Sequence, residues 1–269
     1  MNIDRTLTDE LTRVAHLMAD AAREVILPYF RSEGLGQDNK LLDGYDPVTE
    51  ADRGAEAAMR EVLAQHRPHD AILGEEMGTK TGTTGLTWVL DPIDGTRGFV
   101  SGTPTWGVLI AVGDEAGPFI GIVDQPYIGE RFIGTPEGAS LIRGTETRAI
   151  HTRAARPLSE AVVFTTFPEV GSAQEGAAFH AVASRAQLTR YGMDCYAYAL
   201  VACGQVDLVI EAALNAYDIQ GPLALIKAAG GIVTNWEGGP AHNGGRAIAA
   251  ANAEIHAEAL AILRAQVGP

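Results

Sequence analysis

The stretch WVLDPIDGTRGF, residues 88–99, places two carboxylates three positions apart where an apolar strand ends. The two acids are Asp91 and Asp94, and Gly95 and Thr96 follow them at once. Crowded like charges raise each other's pKa, so such a pair is unfavourable unless a cation lies beside it. An ordinary polar turn is the alternative interpretation, and the other acidic motifs of the chain help to distinguish the two.

Three further acidic motifs stand at the ends of predicted helices or strands. They are DPVTEAD with Asp46 and Asp52, GEE with Glu75 and Glu76, and YDIQ with Asp218. Oxygen donors without histidine or cysteine suit a hard cation such as Mg²⁺, and α/β proteins gather ligands at strand ends. Taken alone, each motif fits a helix cap or a solvated turn. Their agreement favours a single metal site.

The composition narrows the class of protein. The 269 residues carry a formal net charge of −14, from 20 basic and 34 acidic side chains. This balance disfavours nucleic acids and anionic membranes as partners, because both are negatively charged. No apolar run reaches the length of a membrane span, and the charged N-terminus lacks the features of a signal peptide. Two cysteines make a disulfide framework implausible, so we expect a soluble, cytoplasmic protein.

Hydrophobic periodicity predicts two halves, residues 1–146 and 147–269. In the first half, two helices flanking a turn-rich loop at 34–49 precede short strands and an antiparallel meander, an α+β pattern. In the second half, short strands alternate with helices, which is typical of an α/β arrangement. Thr49 or Asp46 would cap the second helix. The predicted helices cover residues 6–30, 49–66, 174–185, 195–203 and 218–229, with a last one from residue 253.

A helix that begins near Thr96 would add an anion site to the metal site. The backbone amides of Gly95 and Thr96 would then point beyond the helix N-terminus, where the helix dipole also favours negative charge. Carboxylates that bind metal beside such a helix start are what the hydrolysis of a phosphate ester requires. The metal offsets the phosphate charge and activates water.

Other catalytic motifs do not occur in the chain. There is no G-x-x-x-x-G-K-[ST] or G-x-G-x-x-G nucleotide cradle, and no G-x-S-x-G nucleophile elbow. Haloacid-dehalogenase-type phosphatases, which use an aspartate nucleophile, carry D-x-D-G-T, whereas this chain has D-x-x-D-G-T. The extra residue predicts that Asp91 and Asp94 are both metal ligands.

With these motifs in order, the chain resembles the inositol-monophosphatase superfamily. GEE at 74–76, WVLDPIDGTRGF at 88–99 and YDIQGPLALIKAAGG at 217–231 match its three metal-site motifs, and DPVTEAD at 46–52 matches its upstream element. The resemblance implies a layered αβαβα sandwich with about two or three Mg²⁺ ions between its halves. It also implies a metal-dependent phosphomonoesterase that forms no covalent phosphoenzyme.

The resemblance further assigns roles to individual residues. The implied metal ligands are Glu75, Asp91, Asp94 and Asp218, with the carbonyl of Ile93. Gly95 and Thr96 would bind the phosphate through their backbone amides. Asp52 would orient the Thr96 hydroxyl, so that Thr96 and Glu75 position the attacking water.

Several stretches are similar to the histidinol-phosphate phosphatase branch of this superfamily, among them SGTPTWGVLIAV, DQPYIGERFIG and NGGRAIAAAN. Inositol phosphatases carry a Gly-Ser pair where this chain has Met193 and Asp194. Asp194 and Glu211 would place two additional carboxylates in the pocket, which suits a substrate with an amine. A plain helix N-cap is the alternative role for Asp194.

We therefore expect Mg²⁺-dependent hydrolysis of L-histidinol phosphate, a step of histidine biosynthesis. The alternatives are an inositol monophosphatase or a broad sugar-phosphate phosphatase and, more remotely, an inactive relative that binds metal. The partner is a small phosphate monoester. The apolar meander offers a surface for a homodimer, which is the expected assembly.

Overall fold

The computed structural model of the protein describes residues 4–33, 37–39 and 47–267. Most of the predicted loop at 34–49 and the candidate cap Asp46 lie outside the described residues.

The helices are α1 (Arg5–Ile26), α2 (Glu50–His66), α3 (Thr96–Ser101), α4 (Ala173–Ala183), α5 (Asp194–Ala202), α6 (Ala216–Ala228) and α7 (Ala253–Val267). The strands are β1 (Gln37–Asn39), β2 (Pro47–Thr49), β3 (Ala71–Gly74), β4 (Gly78–Lys80), β5 (Thr87–Asp94), β6 (Gly107–Asp114), β7 (Gly117–Gln125), β8 (Glu130–Thr135), β9 (Gly138–Arg143), β10 (Glu146–Ile150), β11 (Val162–Thr165), β12 (Leu188–Tyr191), β13 (Leu208–Leu214), β14 (Ile232–Thr234) and β15 (Gly245–Ala250).

The first two helices follow the predicted pattern, with one difference at the end of α1. Helix α1 ends at Ile26 rather than at residue 30, because Pro28 has no amide hydrogen to continue the helical ladder. The amide of Tyr29 instead donates to the Ile26 carbonyl in a turn. Thr49 caps α2 as predicted, since its side chain accepts a hydrogen bond from the Ala51 amide.

The predicted meander forms most of a mixed eight-stranded sheet. Its strand order is β10-β9-β8-β7-β6-β5-β3-β4. Strands β5 to β10 pair with their sequence neighbours in antiparallel fashion, and β3 joins β5 in parallel. The parallel pair places the C-terminal ends of β3 and β5 at the same edge of the sheet, so the GEE and DPID motifs lie side by side.

The second half of the chain forms a five-stranded sheet in the order β12-β11-β13-β15-β14. Strand β11 pairs in parallel with β12 and β13, whereas β15 pairs antiparallel with β13 and β14. Helices connect its consecutive strands except β14 and β15, as the predicted pattern has it.

The helices arrange the two sheets in five layers. Helices α1 and α2 cover one face of the eight-stranded sheet. Helices α5 and α6 lie between the two sheets and share a core with both. Helices α4 and α7 cover the outer face of the five-stranded sheet. The predicted αβαβα sandwich is confirmed.

Helix α6 lies unusually close to the eight-stranded sheet. A side-chain Cβ at Gly121 in β7 would stand 2.2 Å from the Gly221 carbonyl oxygen, and one at Gly134 in β8 would stand 2.5 Å from Leu225 Cα. Glycine at these two strand positions therefore allows the backbones to touch. The close contact matters for the site, because the first turn of α6 carries Asp218.

The division into halves between residues 146 and 147 stays a prediction. Those residues lie at the start of β10, which pairs with β9 in the eight-stranded sheet, and the chain enters the other sheet at Val162. Within the described residues, no helix combines the length and the apolarity that crossing a bilayer would require.

Candidate active site

Asp91 and Asp94 lie at the end of β5, where the strand departs from regular pairing. Asp91 stands opposite Leu109 of β6, and pairing resumes only with Asp94 opposite Gly107. On a regular strand, side chains three positions apart point to opposite faces of the sheet. The irregularity between the two acids, which contains Pro92, turns both carboxylates toward one place.

Asp218 completes a compact group of three acids. One carboxylate oxygen from each of Asp91, Asp94 and Asp218 lies within 4.8 Å of the others. Asp218 reaches this place from the first turn of α6, where its Oδ2 accepts a hydrogen bond of 2.6 Å from the Asn215 amide. The predicted carboxylates from the first and the second half of the chain are thus brought together.

Burial and mutual repulsion both act on this group. Burial first, and then the charges of Glu75, Asp94 and Asp218, raise the pKa of Asp91 well above its ordinary value. The pKa of Asp94 is raised in the same way, by burial and then by the charges of Asp194 and Asp218. A divalent cation would relieve this repulsion, and a donor set made only of oxygens fits Mg²⁺.

Glu75 and Ile93 stand beside the acid group. The Glu75 amide donates to the Leu90 carbonyl at 3.1 Å, which fixes the end of β3 against β5. The Glu75 side chain lines the same cleft as Asp91. The Ile93 carbonyl accepts a hydrogen bond of 3.1 Å from the Thr96 hydroxyl and keeps a second lone pair.

Gly95 and Thr96 form the turn from β5 into α3, as predicted. Gly95 has φ of 82°, in the left-handed region that glycine adopts freely. The Thr96 hydroxyl oxygen stands 3.4 Å from Asp52 Oδ1. Asp52 is buried, and its other oxygen accepts a hydrogen bond of 2.8 Å from the Thr49 amide. Burial raises the pKa of Asp52, while its hydrogen bonds from Thr49 lower it.

Asp194 lies in the cleft but does not cap α5. The cap position belongs to Met193, and Asp194 is the first residue of the helix, with φ of 46°. The N-cap alternative for Asp194 is therefore wrong. Its Oδ2 accepts a hydrogen bond of 2.9 Å from the Thr105 hydroxyl, and its Cγ would stand 2.6 Å from a Cβ at Gly95. Burial raises the pKa of Asp194 above its ordinary value, although the hydrogen bond from Thr105 and the charge of Arg97 partly oppose the rise.

Glu211 is held by Thr165, the last residue of β11, and by Thr166, which follows it. Its Oε1 accepts hydrogen bonds from the Thr166 amide at 2.7 Å and the Thr166 hydroxyl at 2.9 Å. Its Oε2 accepts one from the Thr165 hydroxyl at 3.1 Å. The residue is 6% exposed, and burial raises its pKa to about 7. Glu211 is thus an acid whose charge changes near neutral pH.

One cleft of ≈ 400 Å³ collects these residues. Its walls come from both halves of the chain. Of the predicted site residues, Asp52 is the one that does not line the cleft, and it contacts the cleft residue Thr96. The predicted residues that line the cleft are Glu75, Asp91, Ile93, Asp94, Gly95, Thr96, Asp194, Glu211 and Asp218.

Other residues of the site escaped the sequence interpretation. The Cys195 amide donates to Asp94 Oδ2 at 2.7 Å, and Thr105 and Thr166 hold the acids of the cleft. Arg97 and Phe167 also line it. Arg97 stands inside the DGTRGF motif, which is a positional signal, but nothing in the local sequence around Phe167 points to a pocket.

Comparisons with known proteins agree with this geometry. The model of the inositol monophosphatase family matches residues 7–268. The chain is 41% identical to the chloroplastic bifunctional phosphatase IMPL2 of Arabidopsis thaliana over 87% of its own length, and spans 66% of that relative. It is 35% identical to the histidinol-phosphatase of Streptomyces coelicolor, covering 93% of this chain and 96% of the relative.

A solved structure extends the likeness to the fold. The inositol monophosphatase of Zymomonas mobilis superposes with a TM-score of 0.84 at 36% identity. The match covers 97% of this chain and 100% of that one. The likenesses in sequence and in structure therefore run over nearly the whole chain.

Proposed function

Because the chain belongs to the inositol monophosphatase family of metal-dependent phosphatases, we propose that it hydrolyses L-histidinol phosphate to L-histidinol and phosphate with Mg²⁺. The observation that carries the substrate assignment is the presence of two acids in the cleft, Asp194 and Glu211, besides the proposed metal ligands. Two relatives named histidinol-phosphatase, which the chain matches over almost their whole length, support the assignment.

The metal would be held by Asp91, Asp94 and Asp218, with Glu75 and the Ile93 carbonyl beside them. About two or three Mg²⁺ ions would offset the charge of the phosphate and lower the pKa of water when bound. The three aspartates supply the close oxygen donors that such a site needs.

The remaining residues bind the phosphate and orient the attacking water. Gly95 and Thr96 bind the phosphate through backbone amides at the start of α3. The Thr96 hydroxyl can give its hydrogen to Ile93 or to Asp52, which leaves its lone pairs free to accept one from the attacking water. Glu75, which lines the same cleft, would help to position this water. Asp91 and Asp94 serve as ligands, so no covalent phosphoenzyme forms.

Asp194 and Glu211 select the alcohol part of the substrate. A carboxylate binds an ammonium group by a charge-assisted hydrogen bond, whereas a neutral polyol gains less from it. Histidinol phosphate carries both an amine and an imidazole. An inositol monophosphatase is the second candidate, supported by the close structural match to the Zymomonas enzyme. An inactive relative is disfavoured, because the whole predicted set of ligands is present.

A substrate panel tests the assignment. Purified protein with Mg²⁺ is assayed on L-histidinol phosphate, inositol 1-phosphate and fructose 1,6-bisphosphate. We expect kcat/KM to be highest for L-histidinol phosphate. A kcat/KM that favours inositol 1-phosphate by about tenfold or more would overturn the substrate assignment, since differential transition-state binding defines specificity.

The raised pKa of Glu211 predicts that the KM of the cationic substrate depends on pH. Its pKa of about 7 lies above the ordinary value of 4.5, so the carboxyl is protonated below about pH 7 and gains its charge as the pH rises. Between about pH 6 and about pH 8 the charged fraction grows about tenfold. We expect the KM of L-histidinol phosphate to fall over this range by more in the wild type than in Glu211→Gln.

The comparison with Glu211→Gln removes the titration of the substrate itself, which both proteins experience equally. Inositol 1-phosphate is the matched neutral substrate and should show no such difference between the two proteins. The same KM profile in wild type and variant with L-histidinol phosphate would remove Glu211 from cation binding. Asp194→Ala should raise the KM of L-histidinol phosphate by more than the KM of inositol 1-phosphate.

The cytoplasmic location and the homodimer complete the proposal. The two cysteines, which form no disulfide framework, support the first, because thiols stay reduced in the cytoplasm. The homodimer is expected from the apolar meander, although its strands lie mostly buried within the protomer, so sedimentation of the purified chain is the measurement that decides the assembly.

A further inference from the structure

Phe167 is an aromatic ring exposed at the cleft. It stands two residues after the end of β11, and 45% of it is exposed. Among the exposed large apolar side chains of the described residues, Phe167 is the one that lines the cleft. Leaving such a ring in water forgoes the gain from burying it, so the fold itself does not explain its position.

Arg97 holds this ring from the other side of the cleft. The Arg97 guanidinium carbon stands 5.0 Å from the centre of the Phe167 ring, a favourable cation–π distance. Arg97 belongs to α3 in the first half of the chain, whereas Phe167 belongs to the second half. The pair therefore spans the cleft and fixes the orientation of the ring.

A carboxylate is held by the residue that precedes the ring. Thr166, the residue before Phe167, donates two hydrogen bonds to Glu211. Beyond Glu211 the wall consists of small residues, Ala212 and Ala213, at an irregularity of β13. The same wall thus offers an aromatic face, a hydrogen-bond acceptor and space beside them.

We propose that Phe167, oriented by Arg97, determines specificity by stacking on a planar ring in the alcohol part of the substrate. A flat heteroaromatic group gains from offset stacking on such a face, while its N–H groups or a nearby amine donate to Glu211. The inference rests on the proposed phosphatase function and names a recognition element for ring-bearing esters.

The test compares Phe167→Leu with Phe167→Tyr on four esters. Leucine keeps an apolar side chain but removes the aromatic face, and tyrosine restores it. The esters are L-histidinol phosphate, 4-nitrophenyl phosphate, inositol 1-phosphate and glycerol 2-phosphate, of which the first two carry a planar ring. Tyr191→Leu is the matched control, because Tyr191 is another exposed aromatic residue outside the cleft.

We expect Phe167→Leu to raise the KM of the ring-bearing esters by about fivefold, the size of an aromatic stacking contribution, with little change in kcat. The KM of the other two esters should change less than about twofold, and Phe167→Tyr should resemble the wild type. Equal losses on all four esters, or no loss on the ring-bearing ones, would overturn the inference. If the wild type rejects L-histidinol phosphate while Phe167→Leu still weakens 4-nitrophenyl phosphate selectively, the substrate assignment fails and the role of Phe167 stands.

Discussion

Asp94→Asn should lower kcat by on the order of 10³-fold while the fold stays intact. Asparagine keeps the size of the side chain and can still accept the hydrogen bond from the Cys195 amide. It removes one negative ligand from a group whose oxygens lie within 4.8 Å of one another, so the site binds its cation less well. The measurement is kcat on the best substrate at saturating Mg²⁺, with circular dichroism as the check on folding.

Asp9→Asn is the matched control, since it makes the same chemical change on the exposed surface of α1. The thermal midpoint of metal-free Asp94→Asn should equal or exceed that of the wild type. The reason is that burial and repulsion raise the pKa of Asp94, and the substitution removes that unfavourable charge. A variant that kept more than about a tenth of the wild-type activity would contradict the assignment of Asp94 as a ligand. Loss of a group that stabilises the transition state lowers kcat by more than about tenfold.

Removing the metal should abolish turnover, and returning Mg²⁺ should restore both turnover and stability. A ligand present at about 100 times its dissociation constant stabilises the folded state by about 2.7 kcal/mol. For a chain of this size, that corresponds to a rise of about 5–10 °C in Tm. The protein is treated with a chelator, dialysed, and followed by thermal unfolding and by activity during Mg²⁺ titration.

A potassium salt at matched ionic strength separates specific binding from screening, because screening alone also weakens repulsion between partly exposed acids. We expect potassium to reproduce only a small part of the shift in Tm. Asp94→Asn should lose most of the Mg²⁺-dependent shift, whereas Asp9→Asn should keep it. Full activity after chelation would rule out the metal site.

The local sequence predicted much of the fold because local forces form those features. Thr49 caps α2 through its own side chain, and Gly95 ends β5 with a left-handed backbone. The meander follows from alternating apolar runs and turns between neighbouring strands. Where a local signal was passed over, the prediction was wrong: Pro28 ends α1 four residues before the expected position.

The site was predictable where one motif contains its chemistry, and less so where distant segments meet. The role of Asp194 was open, because an acid just before a helix can either cap that helix or line a pocket, and the local sequence is the same in both cases. The pairing of Arg97 with Phe167 had no signal, since their contact depends on how α3 approaches the loop after β11.

By itself, the sequence determined the kind of chemistry: acids at strand ends, the two residues between Asp91 and Asp94, and the glycine and threonine that follow. Residue type and close spacing carry that information. The motifs named Asp218 as a partner of these acids, but only the tertiary structure brings its carboxylate to them, because α6 packs against Gly121 and Gly134 and so places its first turn beside β5. It also decided which groups line the cleft, since the cleft forms where segments far apart in the sequence pack together.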